Sequence, residues 1–358
     1  MEQIRVLVID DSAFMRKMIS DIIESDPRLQ VIGTARNGET GIQKMKELSP
    51  DVITMDVNMP VMDGIHALQE IMRTNPVPVI MLASQTANVT ENTIKAIENG
   101  AVDFIMKPSG EISLNIEMIK NEIISKIIAA SFATLSTDYK LEKINLVTQQ
   151  TACSIQPPRT LNKQTIVLLG TSTGGPRALQ KVLTSLPNDF NTPFLIVQHM
   201  PAGFTKSLAK RFDTLCHLHV KEAEHGETLK RKTVYIAPGD YHMRVKLNGS
   251  SELVIENSKD EPINNHRPSV DALFESVSYL KNVNKVAVIL TGMGNDGSKG
   301  IKKLKQMDKN CMVISEAKET AIIYGMPKAA YETGAVDHVL PLDQIGELLG
   351  RMTQSLIK

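Results

Sequence analysis

Ser172, His199 and Asp296 are of the three residue types that together hydrolyse acyl bonds, and each falls in a turn that follows an apolar run. A serine hydroxyl attacks a carbonyl only when a base takes its proton. A histidine serves as that base when a carboxylate fixes its tautomer and stabilises the imidazolium. Ile166 to Leu169 leads into Gly170-Thr171-Ser172-Thr173-Gly174-Gly175, and Pro176 opens a helix read from Ala178. Phe194 to Val197 leads into Gln198-His199-Met200-Pro201, and Lys285 to Leu290 into Thr291-Gly292-Met293-Gly294-Asn295-Asp296-Gly297-Ser298. In a parallel sheet the carboxyl ends of strands open on one crevice, so these three turns converge.

Taken singly, each residue has a plainer explanation. His199 is one of 8 histidines and suits a satisfied core position as well as a functional one, and Asn295-Asp296-Gly297 is a turn former. The Ser172 turn fits G-x-S-x-G, the strand-to-helix elbow of a nucleophile, yet its backbone N–H groups and helix dipole equally suit a phosphate. It lacks G-x-G-x-x-G and the closing Lys-Ser or Lys-Thr of a P-loop, which makes nucleotide binding the weaker alternative. Together, His199 and Asp296 at two further strand ends favour the nucleophile. The order Ser, His, Asp departs from the Ser, Asp, His of α/β hydrolases, so the elbow does not assign that fold. Cys216, His217 and His219 lie close enough for a metal, but no second ligand pair has zinc spacing and an alternating strand explains them better.

A second set of charged residues has the same placement. Asp10 and Asp11 follow the apolar run from Ile4, Asp56 follows Asp51 to Met55, and Lys107 follows Phe104 to Met106. A single aspartate after a strand is commonly a helix N-cap. Three carboxylates in one crevice repel unless a cation neutralises them, which points to oxygen ligation of Mg²⁺, with Lys107 left to meet a further anion.

The elements that position these residues alternate. Strands at Ile4 to Asp10, Val31 to Ala35, Asp51 to Met55, Val77 to Ala83 and Phe104 to Met106 are separated by segments of helical periodicity, the last helix covering about Leu114 to Ala130. The expectation is a doubly wound, five-stranded parallel α/β domain over 1–130. From 131 to 164 the periodicity fades into an interdomain linker. A second doubly wound, mostly parallel α/β domain follows over 165–358, in which Val234 to Ala237 and Tyr241 to Leu247, flanking Pro238-Gly239-Asp240, predict a hairpin extended by Leu253 to Ile255.

Length agrees, since 358 residues exceed what one core usually organises. A formal net charge of +0 gives no field that favours nucleic acid. The 3 cysteines, Cys153, Cys216 and Cys311, make no disulfide framework and fit a reducing compartment. The opening MEQIRVLVIDD turns acidic too soon for a signal peptide, and no apolar run spans a bilayer, so a cytoplasmic protein without membrane insertion is expected.

Val6-Leu7-Val8-Ile9-Asp10-Asp11-Ser12, Asp56 with Met59-Pro60-Val61-Met62-Asp63-Gly64, and Lys107-Pro108 resemble the receiver domain of two-component response regulators, which is flavodoxin-like. The resemblance implies that Asp56 is the phosphoacceptor, that Asp10, Asp11 and Asp56 hold Mg²⁺, and that Lys107 contacts the phosphoryl group. Receivers usually carry Ser or Thr at the end of the fourth strand, where this chain has Ala83, which cannot donate a hydrogen bond; the expectation is that phosphorylation is sensed weakly or that Ser84, the next residue, substitutes, and the aromatic switch position is Phe104. The second half, through the three turns above and through Tyr235-Ile236-Ala237-Pro238-Gly239, Arg267-Pro268-Ser269-Val270-Asp271 and Tyr324-Gly325-Met326-Pro327, resembles the catalytic domain of chemotaxis protein-glutamate methylesterases.

That resemblance implies Ser172 as nucleophile, His199 as base and Asp296 as its orienting partner. The substrates implied are glutamate methyl esters, and selected glutamines, on methyl-accepting chemotaxis receptors. The backbone N–H of Thr173 and one near Met293 are the expected oxyanion donors. Ester hydrolysis needs no cofactor, and a chemotaxis histidine kinase is the expected phosphoryl donor. A receiver lying over the Ser172 crevice would inhibit until phosphorylated. The competing expectation is a response regulator whose second domain only binds a partner; a DNA-binding output would need a basic recognition helix, and the second half shows α/β alternation instead.

Overall fold

The computed structural model describes residues 2–84, 87–107, 116–133 and 164–354. The chain divides into two units, Met1–Leu135 and Ser136–Lys358. Most of the segment read as a linker, 134–163 with Cys153, lies outside the described residues, as does Pro108.

In the first unit β1 (Ile4–Ile9), β2 (Leu29–Ala35), β3 (Val52–Asp56), β4 (Val79–Ala83) and β5 (Asp103–Met106) form one sheet in the order β2-β1-β3-β4-β5. Every neighbouring pair is parallel. β3 and β4 are buried along their whole length, which is why they read as continuous apolar runs. The helices are α1 (Ala13–Glu24), α2 (Gly38–Leu48), α3 (Gly64–Thr74), α4 (Ala87–Glu98) and α5 (Ile116–Ser131). Side-chain oxygens of Ser12, Asn37 and Asp63 cap the first three by accepting backbone N–H groups of Met15, Thr40 and His66. Each cap is worth about 1 kcal/mol and fixes where the chain turns back from the sheet edge.

In the second unit β6 (Gln164–Thr171), β7 (Phe194–Gln198), β8 (His219–Glu222), β9 (Thr233–Ile236), β12 (Val283–Ile289), β13 (Met312–Glu316) and β14 (His338–Leu340) form a sheet in the order β14-β13-β12-β6-β7-β9-β8. All of its pairings are parallel. α6 (Gly175–Thr184), α7 (Phe204–Leu215), α8 (Val270–Ser278), α9 (Ser298–Met307), α10 (Met326–Glu332) and α11 (Leu342–Gln354) complete the unit. The core joins inward residues of the central strands, such as Leu168, Leu195 and Ala287, to Phe274 of α8 and Leu304 of α9. From β6 the chain proceeds to β7 on one side, whereas β12, on its other side, proceeds outward to β13. Such a switch point opens a crevice at the strand carboxyl ends.

The predicted hairpin is not formed. Tyr241 N–H does bond back to Pro238 C=O at 3.2 Å, closing a turn. The strands on either side part company: β9 lies between β7 and β8, whereas β10 (His242–Leu247) pairs antiparallel with β11 (Leu253–Ser258) in a separate two-stranded sheet. The turn's amides go elsewhere, Gly239 N–H to Thr205 Oγ1 at 2.9 Å and Asp240 N–H to Arg267 C=O at 3.1 Å. No helix among the described residues is long and apolar enough to cross a membrane.

Candidate active site

Ser172, His199 and Asp296 follow β6, β7 and β12, three neighbouring strands. Thr171 pairs in register with Gln198, so Ser172 and His199 stand side by side at the next step. Two bonds lock that step: His199 N–H donates to Thr171 C=O at 3.2 Å, and the Gln198 side-chain amide donates to Ser172 C=O at 2.9 Å. Neighbouring backbones in a sheet lie about 5 Å apart, within reach for the two side chains.

His199 Nε2 lies 2.8 Å from Asp296 Oδ2, and both side chains are almost fully buried, at 6% and 1% exposure. Asp296 takes further donors from the start of α8: Val270 N–H at 2.6 Å, Asp271 N–H at 3.1 Å and the Ser269 hydroxyl at 2.9 Å. The Asn264 side-chain amide and Gly297 N–H, each at 3.1 Å, complete the set. Burial pushes this carboxyl toward protonation, but the hydrogen bonds and charge of His199, together with the α8 amides, outweigh it and hold Asp296 below the usual carboxylate range. An ionised carboxylate only accepts, so Nε2 carries the proton and Nδ1 of the neutral ring is the basic nitrogen. Nδ1 is buried and has no partner. The imidazole of His266 stacks on that of His199, with centroids 3.8 Å apart and planes 11° from parallel, which limits rotation of the ring.

The Ser172 turn is fixed from the β12 side. Ser172 N–H donates to Thr291 C=O at 3.0 Å, and the Thr171 hydroxyl donates to the same oxygen at 2.8 Å. Gly174 adopts φ +77°, in the left-handed region, and lets the chain turn into α6 with Pro176 in its first turn. Gly292 packs directly on the Ser172 turn: a Cβ there would lie 2.8 Å from Ser172 Cβ and 3.0 Å from Ser172 N. Met326 N–H, at 2.7 Å from Gly292 C=O, pins that loop to the start of α10. Thr173, the next residue after Ser172, is buried, and Met293 adjoins Gly292 at the rim.

In the first unit the carboxylate oxygens of Asp10, Asp11 and Asp56 lie within 4.8 Å of one another, with Asp11 exposed and the other two buried. Lys107 Nζ is 2.7 Å from Asp10 and 2.8 Å from Asp56. Burial raises the Asp56 carboxyl; Lys107 opposes this, and the charge of Asp10 adds to it. The Lys107 ammonium is favoured by the two carboxylates despite its own burial. Three hard oxygen donors converging from two strand ends suit Mg²⁺, whose charge would offset both the burial and the Asp10 charge that raise Asp56. Ala83, at the end of β4, is fully buried and offers no hydroxyl, while its C=O accepts Lys107 N–H at 2.8 Å.

Residues 167–349 match the CheB methylesterase family, and residues 6–119 match the response regulator receiver domain. The chain belongs to the CheB methylesterase family. It is 51% identical to the "Protein-glutamate methylesterase/protein-glutamine glutaminase" of Oceanobacillus iheyensis over 98% of this chain and 99% of that protein. The Bacillus subtilis protein of the same name is 46% identical over 96% of this chain and 97% of its own length. The crystal structure of the Thermotoga maritima CheB methylesterase catalytic domain superposes with a TM-score of 0.50 at 45% identity, covering 54% of this chain and all of that one.

Sequence reading brought the principal side chains of this CheB-family chain to their turns but missed their supports. Asn264 donates to Asp271 as well as to Asp296, at 2.9 Å and 3.1 Å, and so bridges two buried carboxylates. Burial and the nearby charge of Asp296 raise Asp271. Asn264 and His266 lie just ahead of Arg267-Pro268-Ser269-Val270-Asp271, a run to which the sequence attached no role. Its capping serine, Ser269, which also receives Ala272 N–H, was the available signal that a helix start faced the site.

Proposed function

We propose that this methylesterase-family chain hydrolyses γ-glutamyl methyl esters, and deamidates selected glutamines, on methyl-accepting chemotaxis receptors, under control of phosphorylation at Asp56. The observation that carries the catalytic assignment is the buried His199–Asp296 hydrogen bond at the end of the strand beside that of Ser172. His199 Nδ1 takes the proton of the Ser172 hydroxyl as Oγ adds to the ester carbonyl. The tetrahedral oxyanion is received by the Thr173 N–H and by an N–H near Met293. The imidazolium, steadied by Asp296, returns the proton to departing methoxide, and methanol leaves an acyl-serine. Water repeats the sequence, freeing the glutamate and Ser172; with glutamine the first leaving group is ammonia. Each oxyanion donor is worth roughly 3 kcal/mol of transition-state stabilisation.

The receiver domain, assigned to 1–130, is joined by a linker, 131–164, to the catalytic domain, 165–358. Asp56 accepts a phosphoryl group from a chemotaxis histidine kinase, with Asp10, Asp11 and Asp56 holding Mg²⁺ and Lys107 meeting the phosphoryl oxygens. When bound, the metal supplies neutralisation of phosphoryl charge. The placement is cytoplasmic, where kinase and receptor tails are both accessible. Ser172→Ala is expected to abolish methanol release from methylated receptor membranes while leaving Asp56 phosphorylation intact; substantial remaining release would rule out Ser172 as nucleophile.

A further inference from the structure

Glu316 is the last residue of β13 and is fully buried, yet no part of the chemistry above uses it. Its Oε2 accepts Thr291 N–H at 2.7 Å, and its Oε1 accepts the Thr320 hydroxyl at 3.0 Å. Thr291 is the residue on which the nucleophile turn hangs. Its C=O takes Ser172 N–H and the Thr171 hydroxyl, and its own hydroxyl donates to Thr173 C=O at 3.0 Å and accepts Ile323 N–H at 2.9 Å. Every polar group of Thr291 is therefore committed, and the Glu316 carboxyl holds the one that does not face the turn.

We propose that Glu316 is a positioning residue for the nucleophile, fixing the backbone of Ser172 and Thr173 through Thr291. The proposal rests on Ser172 being the nucleophile. A buried carboxyl is a costly way to satisfy one amide unless the bond's strength matters, since a charged acceptor holds an N–H about twice as firmly as a neutral one. Burial raises this carboxyl to about 7, against the opposing bonds from Thr291 and Thr320. Among the described residues, the charge that acts on it is that of Lys181 on α6, which favours the ionised form; β12, β14, α10 and α11 bring no charged group that does so. Both forms are thus present near neutrality. Protonation at Oε1 would oblige the Thr320 hydroxyl to accept rather than donate and would weaken the hold on Thr291. The Thr320 hydroxyl oxygen also accepts Leu342 N–H at 3.1 Å, so the start of α11 shares in the change.

The test uses the full chain. Methanol release from methylated receptor membranes and amide hydrogen exchange in peptides spanning 170–175 are measured for wild type, Glu316→Gln, Glu316→Leu and Ser172→Ala. Glu316→Leu is expected to lower kcat about 10- to 100-fold with KM unchanged, and to speed exchange at the turn about tenfold. Glu316→Gln keeps only a neutral acceptor for Thr291 N–H and is expected to fall between wild type and Glu316→Leu, close to wild type at pH 6. Corrected for intrinsic rates, exchange at the turn should change between pH 6 and pH 8 in wild type but not in Glu316→Gln. Wild-type kcat and exchange in a folded Glu316→Leu would overturn the proposal. Should that variant not fold, the same pH dependence in wild type and Glu316→Gln would overturn it. Turnover retained by Ser172→Ala would remove the nucleophile assignment and the proposal together; turnover lost there but unchanged in Glu316→Leu would remove the proposal alone.

Discussion

The carboxylate of Asp296 does two jobs that its six donors make compatible. It fixes His199 so that Nδ1 is the free base, and it stays ionised in a buried place because the start of α8 is aimed at it. Asp296→Asn keeps the shape but presents an amide that can donate to Nε2, inverting the tautomer, and kcat should fall by about 10³- to 10⁴-fold. KM should hold, since Asp296 is almost fully buried with its oxygens committed to protein donors; a large KM change with intact kcat would show that the residue binds rather than orients. The same charge contributes to stability with a definite sign. A carboxyl depressed in the fold stabilises it above its unfolded value near 3.8, and that contribution is lost as pH falls below it. Acid unfolding followed from pH 5 to pH 2 should therefore be less steep in Asp296→Asn than in wild type. Asn264→Ala removes the donor shared by Asp296 and Asp271 and should cost about 1–3 kcal/mol in denaturant unfolding, because two buried carboxylates then face each other with less between them.

Strands set the site, and their legibility followed their burial. β6, β7 and β12, central in the sheet and buried on both faces, read as apolar runs, and their ends carried the reactive residues. Of the two edge strands of the sheet, β8 was read only as a short alternating strand about Cys216 to His219 and β14 went unread: His219–Glu222 has one buried residue and His338–Leu340 has three residues in all. An edge strand is half exposed and need not show the pattern. The false hairpin arose because Pro238-Gly239-Asp240 does make a turn, while pairing was decided by β9 burying itself between β7 and β8. Contacts between loops far apart in sequence, such as Gly292 on Ser172, leave no local signal at all. Gly292→Ala tests that contact. The added carbon would overlap the Met326 sulfur, which lies on a flexible though buried side chain, and would also crowd Ser172 Cβ and N, which are fixed by the turn. Turnover should drop about 100-fold, with about 1–3 kcal/mol lost in denaturant unfolding from overpacking; unaltered turnover would mean that the turn tolerates displacement. Glu316, also invisible in the sequence, carries a stability term opposite in sign to that of Asp296. Raised from 4.5 to about 7, it favours the fold fully below 4.5 and loses that contribution as pH rises through 7, on the order of 3 kcal/mol. Glu316→Gln should flatten the fall in thermal midpoint between pH 5 and pH 8.

At the scale of the whole chain, the two units divide the chemistry: one gathers carboxylates that suit a cation and a phosphoryl group, the other gathers a base and a hydroxyl that suit an acyl group. The charge balance gave no hint of this division, because it arises from four charged residues at strand ends in one half and a buried imidazole–carboxylate pair in the other. In the proposed regulation the coupling of the halves begins at Asp56, where Ala83 offers no hydroxyl to a phosphoryl group. A hydroxyl at the end of β4 would be drawn toward a phosphoryl group on Asp56, whereas a fully buried methyl has nothing to offer it. The change in ligation at Asp56 is then left to Ser84, the next residue, or to Lys107, which already bridges Asp10 and Asp56 and whose backbone N–H is tied to Ala83 C=O. A coupling that lacks one differential contact shifts the active population less, since a ligand moves an equilibrium only by its difference in affinity for the two states. Ala83→Thr should therefore raise the ratio of phosphorylated to unphosphorylated turnover, measured as methanol release with and without acetyl phosphate and Mg²⁺, by about 5-fold or more, the effect of roughly 1 kcal/mol of added coupling. Asp56→Asn should hold that ratio at one in either background. An Ala83→Thr ratio equal to wild type, with Asp56 phosphorylated to the same extent, would place the coupling in Ser84 or in Lys107 and its two carboxylates.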